Sequence, residues 1–177
     1  MTLVMKHYRR PLSAISVMGE RVRITPGVLI KFSKPLDDKK VNIYAISSGE
    51  YDLTFFVDEG DTEKATVALT DIISRSPYSE MSVRRSVGAV SVTGPEMLDN
   101  PGLLHKMLNP IAKDKLNILA ITASFDSGFM FFDYKDAEKA YKLLNAYIPG
   151  QIGVFKHAHE LVRKVTHKVI RKISRKK

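Results

Sequence analysis

"VSVTGPEMLDNPGLLHKML", Val90 to Leu108, ends an alternating apolar run in a glycine and places Pro-Gly seven residues later, ahead of a second apolar stripe. The same order stands 75 residues earlier in "SVMGERVRITPGVLIKF", Ser16 to Phe32. The shift that carries Pro26 to Pro101 also carries Gly19 to Gly94, Asn42-Ile43 to Asn117-Ile118, and Ala45-Ile46 to Ala120-Ile121. It then carries Asp58 to Asp133, Asp61 to Asp136, and Glu63-Lys64-Ala65 to Glu138-Lys139-Ala140, without a gap. A fixed internal period decides architecture before any local propensity does, so the chain reads as two copies of one small unit.

Working outward from the glycines, "LSAISVMG" (Leu12 to Gly19) alternates like a strand. "PGVLIKFSKPL" follows with Val28, Leu29, Phe32 and Leu36 at helical spacing behind a proline suited to a first helical turn. Pro35 and its repeat Pro110 fall eight residues past Gly27 and Gly102, where an interior proline costs roughly 3 kcal/mol, so the helix is expected to kink or end there. "VNIYAIS" (Val41 to Ser47) and "YDLTFFV" (Tyr51 to Val57) are β-branched and aromatic and read as a hairpin. Asp61 then stands as an N-cap before a helix with Ala65, Ala68, Leu69 and Ile72 on one face. A strand around Met81 to Val83 completes β-α-β-β-α-β, and the second copy repeats the order from about Val87 to "QIGVFK", Gln151 to Lys156. The expected fold is α+β: two tandem ferredoxin-like βαββαβ units at 12–85 and 86–156, each an antiparallel sheet with helices on one face. Each such sheet leaves a face or edges to be covered, and Phe55, Phe56, Phe131 and Phe132 suggest sheets joined side by side or face to face, within or between chains.

Composition bounds the function. With 44% hydrophobic and 27% charged residues the chain sits near the average for globular domains. No apolar run approaches the length that spans a bilayer, and "MTLVMKHYRR" lacks the apolar core of a signal peptide, so a cytoplasmic location is expected. Zero cysteines exclude disulfides, thiolate zinc sites and a cysteine nucleophile. The five histidines (His7, His105, His157, His159 and His167) show no metal-ligand spacing with carboxylates outside the crowded tail, and Asp58, Glu59 and Asp61 are accounted for by a helix start. No Gly-rich phosphate loop, nucleophile elbow or paired catalytic carboxylates appear. The chain is expected not to be an enzyme and to hold no cofactor or metal.

These residues resemble a family. The β-α-β-β-α-β plan, the Pro-Gly opening the first helix and the Asn-Ile pair beginning the second strand look like ACT domains, small modules that bind amino acids and regulate metabolic enzymes. The tandem is similar to the pair at the C-terminus of aspartate kinases, with the order Gly-x-x-Met-x-x-x-Pro-Gly at Gly94, Met97, Pro101 and Gly102, and a Ser-x-x-Glu ending at Ser47 to Glu50. Departures are Lys40-Val41 and Lys115-Leu116 where the family usually has glycine before the Asn-Ile pair, and, in the second copy, "TASF" (Thr122 to Phe125) in place of the Ser-x-x-Glu ending. No Lys-Phe-Gly-Gly segment or nucleotide-binding region precedes the repeats in these 177 residues. The resemblance implies a regulatory module without its kinase.

A glycine ending a strand and a Pro-Gly starting a helix would leave backbone N–H groups at a positive helix end, a ready seat for a carboxylate. The spacing alone is met equally by plain helix-start chemistry; the resemblance favours a ligand. A free amino acid would place its carboxylate there and its ammonium against carbonyls or the amide of Asn42 or Asn117. The candidate contacts are Met18, Gly19, Thr25, Pro26, Gly27, Val28, Asn42, Ile43 and Ser47 in the first copy. Their counterparts in the second are Gly94, Met97, Asn100, Pro101, Gly102, Leu103, Asn117, Ile118 and Thr122. The implied effector is threonine or lysine, and the implied partners are a second copy of the chain and a separate kinase chain or other biosynthetic enzyme.

The net charge of +9 is concentrated at the end. Lys156 to Lys177 holds six Lys, three Arg and one Glu, with Leu161, Val162, Val165, Val169, Ile170 and Ile173 at helical spacing. This reads as a basic amphipathic C-terminal helix over 157–177, docked by its apolar stripe. The alternatives are a phosphate-backbone grip on nucleic acid or attachment to an anionic membrane surface. Aromatic residues that could stack bases are absent after Phe155, which argues against sequence-specific RNA recognition.

Overall fold

In the computed structural model, which describes residues 3–19, 26–75, 78–94 and 102–147, the elements alternate as the repeat requires. In chain order they are β1 (Val4–Gly19), α1 (Val28–Asp38), β2 (Ile43–Ser48), β3 (Asp52–Asp58), a 3-10 turn (Glu59–Asp61), α2 (Thr62–Ile73), β4 (Tyr78–Thr93), α3 (Leu103–Lys113), β5 (Ala120–Ala123), β6 (Ser127–Asp133) and α4 (Tyr134–Tyr147). All six strands share one antiparallel sheet in the order β2-β3-β1-β4-β6-β5. The α+β class and the tandem units of the sequence reading are therefore present.

The two 16-residue strands carry the organisation. The second half of β1 pairs β3, from Leu12↔Asp58 to Met18↔Asp52, and on its other side pairs the first half of β4, from Ala14↔Arg84 to Gly19↔Tyr78. The second half of β4 pairs β6, from Val87↔Asp133 to Thr93↔Ser127, and on its other side pairs Val4 to Tyr8 of β1. Each long strand thus begins in one four-stranded unit and ends in the other. The register shifts between Tyr8 and Leu12, and Ser86 takes φ 55 where β4 passes between units, its N–H bonded to the Glu59 carboxylate at 3.0 Å.

This exchange corrects the sequence reading at one place. The fourth strand of the second unit was expected at 151–156; those residues lie outside the described ones, and the place beside β4 is held by Val4 to Tyr8. Leu3 accordingly lies in the second unit's core with Val90, Val92, Leu103, Met107 and Leu144. The basic helix expected over 157–177 also lies outside the described residues.

Burial follows the strand alternation. Ile15, Val17, Phe55 and Val57 face α1 and α2, whereas Leu12, Phe56, Val87, Ala89 and Phe131 form a third cluster built of strand residues alone. Phe56 and Phe131, repeat partners, stack there with ring centres 3.6 Å apart and planes 7° apart. Within the chain the sheets therefore join both side by side, through β1 and β4, and across their helix-free faces.

In α1, Val28, Phe32 and Leu36 form the i, i+4 row that meets the core, so Leu29, also expected there, turns outward and is 45% exposed. Neither helix ends at its proline. α1 runs past Pro35 to Asp38 and α3 past Pro110 to Lys113, because Leu36 and Ile111 are buried and both ends close in a Schellman motif. Lys40 N–H donates to Asp37 C=O and Val41 N–H to Leu36 C=O; Lys115 and Leu116 do the same to Ala112 and Ile111. At α2, Asp61 stands at the N-cap position without capping through its side chain, which bonds Lys64 at 2.8 Å; Asp58 instead accepts from Gly60 N–H and caps the 3-10 turn.

Candidate functional site

The first turn of α1 begins from Gly27 at φ 80, and that of α3 from Gly102 at φ 85, both in the left-handed region open to glycine. Pro26 and Gly27 therefore form the turn before the helix rather than its first turn. Lys31 N–H donates to Gly27 C=O and Lys106 N–H to Gly102 C=O, so the N–H groups of Val28, Leu29, Ile30 and of Leu103, Leu104, His105 have no partner within their helices. Among the described residues no side chain caps either start, and neither first turn holds an acidic residue that would offset the positive helix end. A methyl group built on Gly27 or Gly102 meets no described atom within 4 Å, so no described residue fills the space at either start. The chemistry on offer is a set of uncompensated N–H donors approachable along the backbone, suited to a carboxylate.

The strand-end glycines do not add to those donors. Gly19 N–H is taken by Tyr51 C=O at 2.8 Å and Gly94 N–H by Asp126 C=O at 2.7 Å, which locks each strand end to its hairpin loop. Met18 is half-buried, opposite Asp52 on one side and Glu80 on the other. Ser47 and Thr122, both half-buried, lie on the hairpins opposite Thr54 and Phe129. Val28, Ile43 and Ile118 pack on the cores and Leu103 is buried in one, so these four shape the frame. Asn42 and Asn117 are exposed, four residues beyond the C-terminal ends of α1 and α3. An eleven-residue helix is roughly 16 Å long, so the structure does not bring either amide to the glycine of its own unit. Thr25, Met97, Asn100 and Pro101 lie outside the described residues.

The two copies are not chemically equal. The buried Ser13 hydroxyl bonds Thr62 Oγ1 at 2.7 Å, and Thr62 donates to Glu59 C=O; at the repeat positions Gly88 and Ala137 replace this pair by close contact. The hairpin loop of the first copy carries Glu50 and Tyr51, that of the second Phe125, 74% exposed, and Asp126. Among the described residues no cluster of three or more His, Cys, Asp or Glu is placed to hold a metal ion, and no helix is long and apolar enough to cross a membrane.

Against known proteins, two family models, both described as ACT domain, match residues 15–72 and 82–146. The aspartokinases of two Helicobacter pylori strains are 25% identical over 135 residues; the match covers 73% of this chain but 33% of theirs, so the chain spans about a third of the length of these relatives. Among solved structures, the aspartokinase alpha and beta subunits superpose with a TM-score of 0.69 at 21% identity, covering 83% of this chain and 97% of that one. The regulatory subunit of aspartate kinase from Thermus flavus superposes with a TM-score of 0.69 at 19% identity and the same coverage. Repeat, sheet order and family models agree: the chain holds two tandem ACT domains and belongs to the ACT domain family.

Proposed function

We propose that this chain is a regulatory module that binds a small amino acid of the threonine or lysine class and controls an amino-acid biosynthetic enzyme, such as a separate aspartate kinase catalytic chain, in the cytoplasm. The observation carrying this reading is the pair of left-handed glycines, Gly27 and Gly102, each opening a helix whose first N–H groups no described side chain caps and beside which no described atom fills the space. The α-carboxylate would lie on those N–H groups, with the nearby hairpin meeting the rest of the molecule. Control would follow from linkage: a ligand that favours one arrangement of the units shifts its population by the difference in affinity. The family and the superposition on regulatory subunits support the module; the effector, the partner and the absence of catalysis are part of the proposal.

The test is thermal unfolding with all twenty amino acids in turn. Threonine or lysine should raise the midpoint, because a ligand that binds the folded state alone stabilises it by mass action. Gly27→Val or Gly102→Val should abolish the rise for whichever copy binds, and since either change also strains the backbone, the quantity compared is the ligand-induced rise above each variant's own baseline. A flat response across the whole set would overturn the sensor reading.

A further inference from the structure

We propose a second ligand site, in the second unit only, for a small molecule carrying a dianionic group such as a phosphate or a pair of carboxylates. It lies along the outer edge of Val4–Arg9, away from both helix-start glycines. There β1 and α4 flank an open cavity of about 750 Å³ lined by His7, Arg9, Tyr134, Glu138, Tyr141 and Lys142, among others.

Three observations carry it. His7 Nε2 is shut off from solvent yet has no hydrogen-bond partner among the described residues, a state that costs folding free energy unless something else binds the nitrogen. Its ring is held in place, stacked on Tyr141 with centres 5.9 Å apart and planes 23° apart. The charge around it is unbalanced. Glu138 bonds Lys142 at 2.8 Å, and its carboxyl is held below the usual range by Lys142 first and also by Arg9 nearby, yet no described carboxylate lies within 4 Å of the Arg9 guanidinium, which stays exposed beside the cavity. Tyr134 closes one end, donating its hydroxyl proton to Arg9 C=O at 2.6 Å. A phosphate or dicarboxylate would take Arg9 as its charge-assisted partner and present a hydroxyl or oxygen to His7.

The repeat supplies an internal control. The first unit has Ser82 where the second has His7, Thr66 for Tyr141, Val67 for Lys142 and Glu59 for Tyr134. Its arginines there are spent on protein carboxylates: Arg84 on Asp133 at 2.8 Å and Arg85 on Glu63. The same scaffold thus carries a neutralised surface in one copy and an open cationic cavity in the other.

The experiment follows the imidazole resonances of the full chain by NMR while inorganic phosphate, malonate or adenosine monophosphate is added at constant ionic strength. The His7 ring signals should shift and saturate, with a dissociation constant of about a millimolar, while the methyl signals of exposed Val67, at the equivalent place in the first unit, should not. Arg9→Met should weaken the response about tenfold or more, and Lys142→Val, the first-unit residue, should weaken it less. Phosphate and malonate separate the two anion classes, and tighter binding of adenosine monophosphate than of phosphate would add the tyrosines to the contact surface. The proposal is overturned if none of the three probes moves His7, if Val67 moves equally, or if Arg9→Met responds like the parent.

Discussion

Lys40 and Lys115 hold φ 57 and 58, the C′ position of a Schellman motif that glycine fills at least cost, and it is here that the chain departs from the family's usual glycine. Lys40→Gly and Lys115→Gly should each raise stability by about 1 kcal/mol, measurable as a higher thermal midpoint; a lower midpoint for both would mean the lysines make up for their strain elsewhere. Gly88 is the opposite case. A methyl group there would sit 2.4 Å from Ala137 Cβ and 3.0 Å from Tyr134 Cα, so Gly88→Ala should cost on the order of 1–3 kcal/mol by forcing α4 off the sheet. Ser13, its repeat partner, already carries a side chain because its hydroxyl donates to Thr62 Oγ1. The check is denaturant unfolding of Gly88→Ala beside Ser13→Ala, the former losing stability through overpacking and the latter through loss of the buried Ser13–Thr62 hydrogen bond.

Elements were legible to the extent that their signals were local. The 75-residue period, the Pro-Gly starts and the apolar rows of Phe32–Leu36 and Ala65–Leu69 identified the helices and hairpins, because periodicity and turn chemistry act over a few residues. The fourth strand of the second unit was not legible. A strand completing a sheet carries no label saying which chain segment supplies it, and "QIGVFK" fits the pattern as well as "VMKHY" does. What distinguishes them is that Arg9-Arg10 repeats as Arg84-Arg85, so the repeated unit begins before Leu12 with the whole long strand. At the candidate site the glycines were visible as residue types, but the loss of the Gly19 and Gly94 N–H groups to hairpin carbonyls, and the distance of Asn42 and Asn117, depend on tertiary placement. Removing residues 1–9 should strip the second unit of its edge strand and expose Val90, Val92 and Met130. Hydrogen exchange should then show protection lost in β5, β6 and α4 but largely kept at Leu53 to Val57. Equal loss in both units would mean that the two fold only as one.

At the scale of the whole molecule, the free strand edges and the basic tail bear on partners. Self-association is expected, and sedimentation showing a monomer at every concentration would remove it. If the +8 segment Lys156–Lys177 grips phosphates, its deletion should lower affinity for any duplex DNA, and binding by the intact chain should fall steeply between about 50 and 200 mM salt. If its apolar stripe is docked, the same deletion should instead lower stability or solubility. The exchange of β1 and β4 carries a further consequence. Because each long strand begins in one ACT unit and ends in the other, neither half of the chain closes a sheet by itself, yet the two halves complement each other about a point marked by the Phe56–Phe131 stack. The molecule has the form of a two-fold dimer whose protomers were fused end to end. A break introduced between Arg75 and Tyr78 would cut no shared strand, so separately synthesised halves should find each other and restore the parent fold.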